Sequence, residues 1–178
     1  MKNENELLKR AAKGDEAAFL QLYQRHQGPV FRFALHMSGQ RETAEEIVQE
    51  VFLSLLSAPK GFVEQAGNLQ GYLIGTARNM LRNRLRQTWR YVAVEPATVG
   101  AELFDAVSKE QELRELRAAI LSLPPNYREI VALCDLEGMD YSQAASHLGC
   151  PVGTIRSRLH RARATLAAKM QKRIRCTA

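Results

Sequence analysis

The sequence predicts an all-α protein made of two small helical domains joined by a flexible linker. Apolar residues recur with helical spacing from Leu7 to about Trp89, and the same spacing resumes near Ser108. No alternation of Val, Ile and Thr runs beyond a few residues, so strands are not expected. Pro96 and Gly100 interrupt the stretch between the two helical parts, which favours a linker. The predicted domains are residues 1–90 and 109–178, with the linker at 91–108.

Composition limits the classes of function. The chain has 178 residues, of which 46% are hydrophobic, and this suffices for real cores. A net charge of +6 weakly favours a polyanionic partner. Three cysteines without metal-ligand spacing indicate neither a disulfide framework nor a metal site. The chain begins without an apolar signal and has no segment long enough for direct membrane insertion, so a cytoplasmic location is expected. Nothing in the sequence indicates a cofactor or a small-molecule substrate.

The first helix of the N-terminal domain is predicted to follow Gly14. Asp15 is the candidate N-cap, because a carboxylate there accepts hydrogen bonds from the free N–H groups of the first turn. Pro29 removes one backbone donor inside the helix and predicts a kink. The predicted buried stripe is Phe19, Leu22, Tyr23, Val30, Phe33 and Ala34.

The second helix has an apolar side and an acidic side. Thr43 and Glu46 predict a capping box at its start. Its apolar stripe is Ile47, Val48, Val51, Phe52, Leu55 and Leu56. Its other side holds Glu42, Glu45, Glu46, Gln49 and Glu50. Two interpretations remain open: a solvated helix start that suits the helix dipole, or a docking face for a basic protein surface.

The third helix, Leu69–Tyr91, contains five arginines and no acid. Tyr72, Asn79 and Trp89 are interleaved with the arginines. Single-stranded nucleic acid suits this pattern, because bases stack on aromatic rings while guanidinium groups hold phosphates. The alternative is that Tyr72 and Trp89 belong to the core, as is expected for Leu73.

The C-terminal domain is predicted to contain a helix with Leu113, Leu116, Ile120 and Leu123, followed by a second at about Tyr127–Leu136 that stops at Gly138. A pair of helices joined by a tight turn follows. Asp140 and Gln143 predict the start of the first member, and Gly149 its end. Pro151 suits the start of the second.

The last helix has two different sides. Ile155, Leu159, Ala162 and Leu166 form one apolar stripe. The opposite side holds Arg156, Ser157, His160 and Arg161. No acidic residue occurs from Cys150 to Ala178. This is the pattern of a recognition helix in a DNA groove, and the alternative is a three-helix bundle with a solvated basic face.

Four runs of residues together resemble a bacterial sigma factor of the sigma-70 family, extracytoplasmic-function (ECF) group. They are Thr43–Phe52, Tyr72–Asn79, Leu123–Glu129 and Gly149–Arg163. The last run alone occurs in other helix-turn-helix regulators, but all four in this order and spacing are specific. The resemblance extends from about Asp15 to Met170, with the two domains as sigma regions 2 and 4.

The resemblance implies a role for each surface. The acidic helix would dock on a coiled coil of core RNA polymerase through Glu46, Gln49 and Glu50. The next helix would hold the melted −10 element, and the preceding loop, Ala58–Asn68, would set the accepted base. The implied −10 residues are Tyr72, Arg78, Asn79, Arg82 and Arg86. The implied −35 residues are Arg156, Ser157, Arg158, His160, Arg161 and Arg163.

The function that follows is a sigma factor that directs core polymerase to specific promoters and is controlled by an anti-sigma factor. The first alternative is a free-standing helix-turn-helix regulator of transcription. The second is an enzyme acting on nucleic acid, but Glu45, Glu46 and Glu50 surround one helix with no histidine at ligand spacing. No nucleophile motif or phosphate-binding glycine loop occurs, so no catalytic residue is expected.

Overall fold

The computed structural model describes residues 2–58, 68–91 and 109–177. The helices are α1 (Lys2–Ala11), α2 (Glu16–Ser38), α3 (Arg41–Ser57), α4 (Leu69–Tyr91), α5 (Lys109–Leu121), α6 (Pro125–Ile130), α7 (Tyr141–Leu148) and α8 (Val152–Thr177). A π-helix, Val131–Leu136, follows α6 directly. These described residues contain no strand, and the predicted all-α fold is confirmed.

The helices divide into two compact units. The first contains α1, α3 and most of α2 and α4, and the second contains α5 to α8 with the π-helix. The predicted linker, residues 91–108, lies almost entirely outside the described residues. The domain boundaries therefore stay a prediction. Most of the predicted −10 loop lies outside the described residues too.

Helix α1 was not predicted. It buries Leu8 completely, and its Glu4 carboxylate lies 3.1 Å from Nε2 of His26 in α2. Arg25 donates to the same carboxylate oxygen at 3.3 Å. Burial lowers the pKa of His26, and Glu4 opposes that shift. Its buried residues, Leu7, Leu8 and Ala11, all lie in its C-terminal half, and three apolar positions are too few to indicate a helix by spacing alone.

The starts of α2 and α3 differ in how well they were predicted. The Asp15 cap is confirmed, because Oδ1 of Asp15 accepts a hydrogen bond from the Ala18 amide at 3.0 Å. Helix α2 continues through Pro29. The capping box at Thr43 is wrong, because α3 already begins at Arg41. Gly39, with a φ of +75°, makes the turn, and α3 starts two residues later.

The first unit is packed around aromatic and aliphatic side chains. The Phe52 ring of α3 lies 4.9 Å from the Tyr23 ring of α2, centroid to centroid, and meets Phe19 edge-on at 6.2 Å. Edge-to-face and tilted pairs of this kind add to the apolar burial. On α4, Leu73 is fully buried, as predicted. In the described part of α4, the buried apolar side chains are Leu69, Leu73, Ile74, Ala77 and Leu81.

The core of the second unit lies where α8 packs against α5, α6 and α7. Its buried members are Ile120, Leu123, Ile130, Val131, Ala144, Ala145, Ile155, Leu159 and Ala162. Two alanines on α7 let α8 approach closely. The predicted apolar stripe of α5 is buried only in part, because Ile120 is buried but Leu113 and Leu116 are exposed. Among the described residues, α5 therefore packs only through its C-terminal half.

The predicted signals at the helix pair are confirmed. Oδ1 of Asp140 accepts hydrogen bonds from the amides of Ser142 and Gln143, both at 2.8 Å, and Gln143 completes the capping box. Gly149 ends α7 in the left-handed conformation, with a φ of +62°. Helix α8 begins directly after Pro151.

The helix predicted at Tyr127–Leu136 is only partly right. Helix α6 begins at Pro125, and from Val131 the backbone widens into the π-helix. The apolar spacing did not distinguish the two forms, because Val131, Ala132 and Leu133 are buried in either case. The half-buried Arg128 guanidinium donates to the carbonyl groups of Leu121 and Leu123, which fixes the turn between α5 and α6.

We expect Asp140→Ala to lower the free energy of unfolding of the second unit by about 1 kcal/mol, because two amides of α7 lose their acceptor. Thermal unfolding followed by circular dichroism measures this. Asp140→Asn is the matched control and should unfold near wild type, because its side-chain oxygen still accepts. Equal losses in both variants would contradict the capping role.

Candidate nucleic-acid and protein-docking surfaces

The outward side of α3 is an acidic surface formed by Glu46, Gln49 and Glu50. All three side chains are exposed, while Ile47 and Val51 on the opposite side are fully buried. The side-chain exposure of Glu46 is 59% and that of Glu50 is 46%. Burial of one side of α3 therefore turns these three side chains outward.

Arg84 of α4 contacts the acidic surface. Its Nη1 donates to Oε2 of Glu46 at 2.6 Å, and its Nη2 donates to Oε1 of Glu50. The hydrogen bond that Arg84 donates to Glu46, followed by the one it donates to Glu50, raises the pKa of Arg84. The sequence pattern grouped Arg84 with the other arginines of α4, but its spacing from Ala77 and Leu81 places it on the side that faces α3.

The opposite side of α4 carries the predicted −10 residues. Asn79 is exposed, and Tyr72 and Arg82 are half-buried on the same side, away from Leu73. Arg78 is half-buried at the edge of this side. The side chains of Arg86 and Trp89 lie outside the described residues, so their predicted roles have no structural account here. The amide of Gln70 donates to Oδ1 of Asn68 at 3.0 Å, which caps the start of α4.

The two sides of α8 agree with the sequence pattern. Ile155, Leu159 and Ala162 are buried, and Leu166 packs against them. The exposed outward residues are Arg156, Ser157, His160 and Arg161. Arg158 is half-buried at one edge. The outward side is therefore basic and hydrogen-bonding along successive turns, as a helix that enters a DNA groove requires.

Arg163 is exposed at the other edge of α8 and is bonded within the protein. Its Nε donates to Oδ2 of Asp135 at 3.1 Å, and its Nη2 donates to Oδ1 at 2.5 Å. This bidentate contact raises the pKa of Arg163 further above its ordinary value, and Tyr141 adds to the shift. Sequence reasoning missed Asp135, because nothing local to it indicates a partner 28 positions away.

Comparison with known proteins identifies both units. The family model "Sigma-70 region 2" matches residues 22–91, and the model "Sigma-70, region 4" matches residues 113–166. The ECF RNA polymerase sigma-E factor of Escherichia coli K12 is 30% identical over 185 residues, which cover 95% of each chain. The ECF RNA polymerase sigma factor SigE of Mycolicibacterium smegmatis is 33% identical over 175 residues, and the alignment covers 90% of this chain and 66% of that protein.

The chain belongs to the ECF RNA polymerase sigma factors. Sigma factors are transcription initiation factors and not enzymes, and they work with RNA polymerase at promoter DNA. The alternatives of a free-standing regulator and of an enzyme are therefore wrong. The fold agrees: the sigma factor RpoE of Bartonella quintana, solved with the anti-sigma factor NepR, superposes with a TM-score of 0.68 at 27% identity, over 86% of this chain and 96% of that chain.

The described part of this sigma factor offers no candidate site for metal binding or thiol chemistry and no candidate membrane span. No group of three His, Cys, Asp or Glu residues there could hold a metal ion. None of the described helices has the length and hydropathy needed to cross a membrane. Burial, followed by the nearby Asp135 carboxylate, raises the pKa of the Cys134 thiol, which disfavours a reactive thiolate.

Gly153 is a functional candidate that sequence reasoning missed. It is exposed in the first turn of α8, on the outward side, and a Cβ there would meet no atom within 4 Å. Alanine would stabilise a helix at such a position by about 0.5–1 kcal/mol. The sigma factor itself therefore has no packing need for glycine at this point. The sequence feature that could have indicated Gly153 is a glycine in the first turn of a helix, next to the predicted DNA-contacting residues.

Proposed function

We propose that this sigma factor acts in the cytoplasm, docks on core RNA polymerase through α3, holds the melted −10 strand on α4 and reads the −35 duplex with α8. One observation carries the proposal: the chain presents an acidic outward side on α3 and basic outward sides on α4 and α8. A protein that needed only DNA would gain nothing from exposed carboxylates, because they repel phosphates. A second, basic protein partner accounts for them.

Docking would use the carboxylates of Glu46 and Glu50 and the amide of Gln49. Arg84 already neutralises part of this surface, so basic groups of the polymerase would exchange with it. Exposed ion pairs contribute only about 0–1 kcal/mol, and the exchange is therefore inexpensive. Desolvation in the interface would then strengthen the new pairs relative to the internal ones.

Capture of the −10 strand would use Tyr72 and Asn79. They lie seven positions apart, which is about two helical turns, so one side of α4 carries both. Stacking of a base on a ring contributes about 1–3 kcal/mol, and the side-chain amide of Asn79 suits the edge of an unpaired base. We assign phosphate contacts to Arg78, Arg82 and Arg86.

Reading of the −35 element would use Arg156, Ser157, His160 and Arg161. Bidentate hydrogen bonds from arginine to a guanine edge contribute about 1–3 kcal/mol of discrimination. We assign Arg158, at the edge of this side, to a phosphate. Arg163 lies at the opposite edge, where a phosphate contact would have to compete with its bonds to Asp135. Gly153 leaves room for DNA at the start of the helix.

Control by an anti-sigma protein fits the same surfaces. The relative from Bartonella quintana was solved with such a partner. We propose that a protein of this class withholds the present sigma factor from polymerase. No small-molecule substrate and no membrane insertion enter the mechanism.

Transcription from a linear promoter fragment tests the whole proposal. Promoters selected with the reconstituted holoenzyme should support initiation by core polymerase only when this chain is added. Failure of core polymerase to bind the chain, or equal transcripts with and without it, would contradict the proposal.

The docking role predicts that Glu46→Lys with Glu50→Lys weakens binding to core polymerase by about 100-fold or more, because like charges facing each other in an interface cost several kcal/mol. Fluorescence anisotropy with labelled sigma factor measures the affinity. Glu6→Lys with Glu16→Lys is the matched control: both residues are exposed in the first unit, and the change in net charge is the same. Arg84→Gln shows whether loss of the internal pairs alone explains the effect. Equal weakening in the matched control would refute α3 as the docking site.

The −35 role predicts that Arg161→Ala weakens promoter binding by about 1–3 kcal/mol and relaxes base preference at one position. Competition binding of the holoenzyme to promoters substituted at each −35 base measures both quantities. Arg117→Ala removes an equal charge from an exposed site on α5 and should change neither. A uniform loss over all sequences would instead mean that Arg161 contacts the backbone.

The melting role predicts that Asn79→Ala leaves the affinity for a −35 duplex unchanged and reduces open complexes by about tenfold, because a captured base loses its pocket contact. Permanganate reactivity of promoter thymines measures opening. A mismatched −10 bubble should restore part of the activity, since the cost of opening is already met. Asn126→Ala, an exposed amide on α6, is the control. Normal reactivity of the Asn79 variant on duplex DNA would remove Asn79 from the melting site.

A further inference from the structure

Asp135 and Arg163 link two packed elements through a charged contact. Asp135 lies in the π-helix, and Arg163 lies near the middle of α8. Both guanidinium contacts go to the same carboxylate, one oxygen each. A planar guanidinium held at two points has a defined position and direction, which a single contact does not give.

The π-helix sets the direction of Asp135. A π-helical turn contains more residues than an α-helical turn, so the side chains that follow are rotated relative to an uninterrupted α-helix. Leu133 stays fully buried in this turn while Asp135 reaches the side where α8 passes. Widened turns of this kind are frequent at functional sites.

The position of Arg163 on α8 argues against a phosphate as its main partner. Ser157 and Arg161 point away from the core, whereas Arg163 lies at the edge, where its side chain is 55% exposed and Asp135 is 26% exposed. A phosphate would have to displace a bidentate carboxylate to bind the same two donors. A side chain already bonded in this way instead fixes the helix that carries it.

We propose that Asp135 is a positioning residue for promoter recognition: by holding Arg163, it adds a charged contact to the apolar packing that sets the rotation of α8, and so keeps Arg156, Ser157 and Arg161 facing the −35 bases. The inference rests on the proposed reading of the −35 element by α8. It gives Arg163 an internal role in place of the DNA contact that the resemblance implies. The Asp135 carboxylate also repels the phosphates of DNA. If it had no positioning role, its removal would therefore strengthen DNA binding.

The two roles of Arg163 predict opposite effects of Asp135→Asn. If the pair positions α8, then Asp135→Asn and Arg163→Gln each weaken −35 recognition by about threefold to tenfold, and the double variant is no worse than either. The dependence of affinity on salt then keeps its wild-type slope. If Arg163 holds a phosphate, Asp135→Asn tightens binding, and Arg163→Gln reduces the salt slope by about one.

The experiment uses holoenzyme reconstituted with the full chain, a promoter fragment and a panel of −35 base substitutions at several salt concentrations. The charge-swapped variant, Asp135→Arg with Arg163→Asp, should recover part of the base preference lost in the single variants. Arg117→Gln is the control for loss of one exposed positive charge. Exposed ion pairs add little to stability, so the variants are expected to fold, and core polymerase binding verifies this.

The outcomes separate this inference from the proposed function. If Arg161→Ala leaves −35 preference unchanged, the proposed reading by α8 fails, and the inference fails with it. If Arg161→Ala behaves as proposed but Asp135→Asn is neutral or binds more tightly, only the positioning role is overturned. Additive losses in the double variant would also overturn it, because two residues that act through one contact are not independent.

Discussion

Burial of one side of each helix determines which residues are left for partners in this sigma factor. A helix that buries Ile155 and Leu159 necessarily turns Ser157 and Arg161 outward, because residues along the helix repeat every 3.6 positions. The same holds for α3, where burial of Ile47 exposes Glu46 and Glu50. The proposed functional surfaces are therefore consequences of the core. A change in the packing register of one helix would turn every residue on its own outward side.

The acidic surface on α3 and the basic surface on α8 each have an internal ion pair at or beside them. Arg84 binds two carboxylates of the acidic surface, and Asp135 binds one arginine beside the basic surface. Each pair places a countercharge next to a group of like charges, which reduces their mutual repulsion. The two sets of ion pairs connect different helices. Arg84 links α4 to α3, the two helices proposed for different partners. Asp135 and Arg163 both belong to the helix-turn-helix unit.

Local sequence signals predicted much of the fold, and the failures have physical causes. The cap at Asp140 and the turn at Gly149 depend on residues within a few positions, and both are confirmed. The start of α3 was misplaced because the positive φ of Gly39 sets it, and no apolar spacing marks that turn. The π-helix was not predicted because its buried residues suit an α-helix equally well. At the candidate site, the outward residues of α8 follow from spacing, but the partners of Arg84 and Arg163 lie far away in sequence and depend on tertiary packing.

Gly153 gives the start of α8 an empty space in place of a side chain. On the proposed DNA side of the helix, the missing side chain lowers the stability of the helix but leaves room for DNA. Selection for resistance to heat alone would favour alanine there, because alanine has the higher helix propensity and its Cβ would clash with no atom of the protein. Close approach of DNA at the proposed −35 surface would favour glycine. Variants of this chain stabilised by helix propensity therefore need to leave the first turn of α8 untouched.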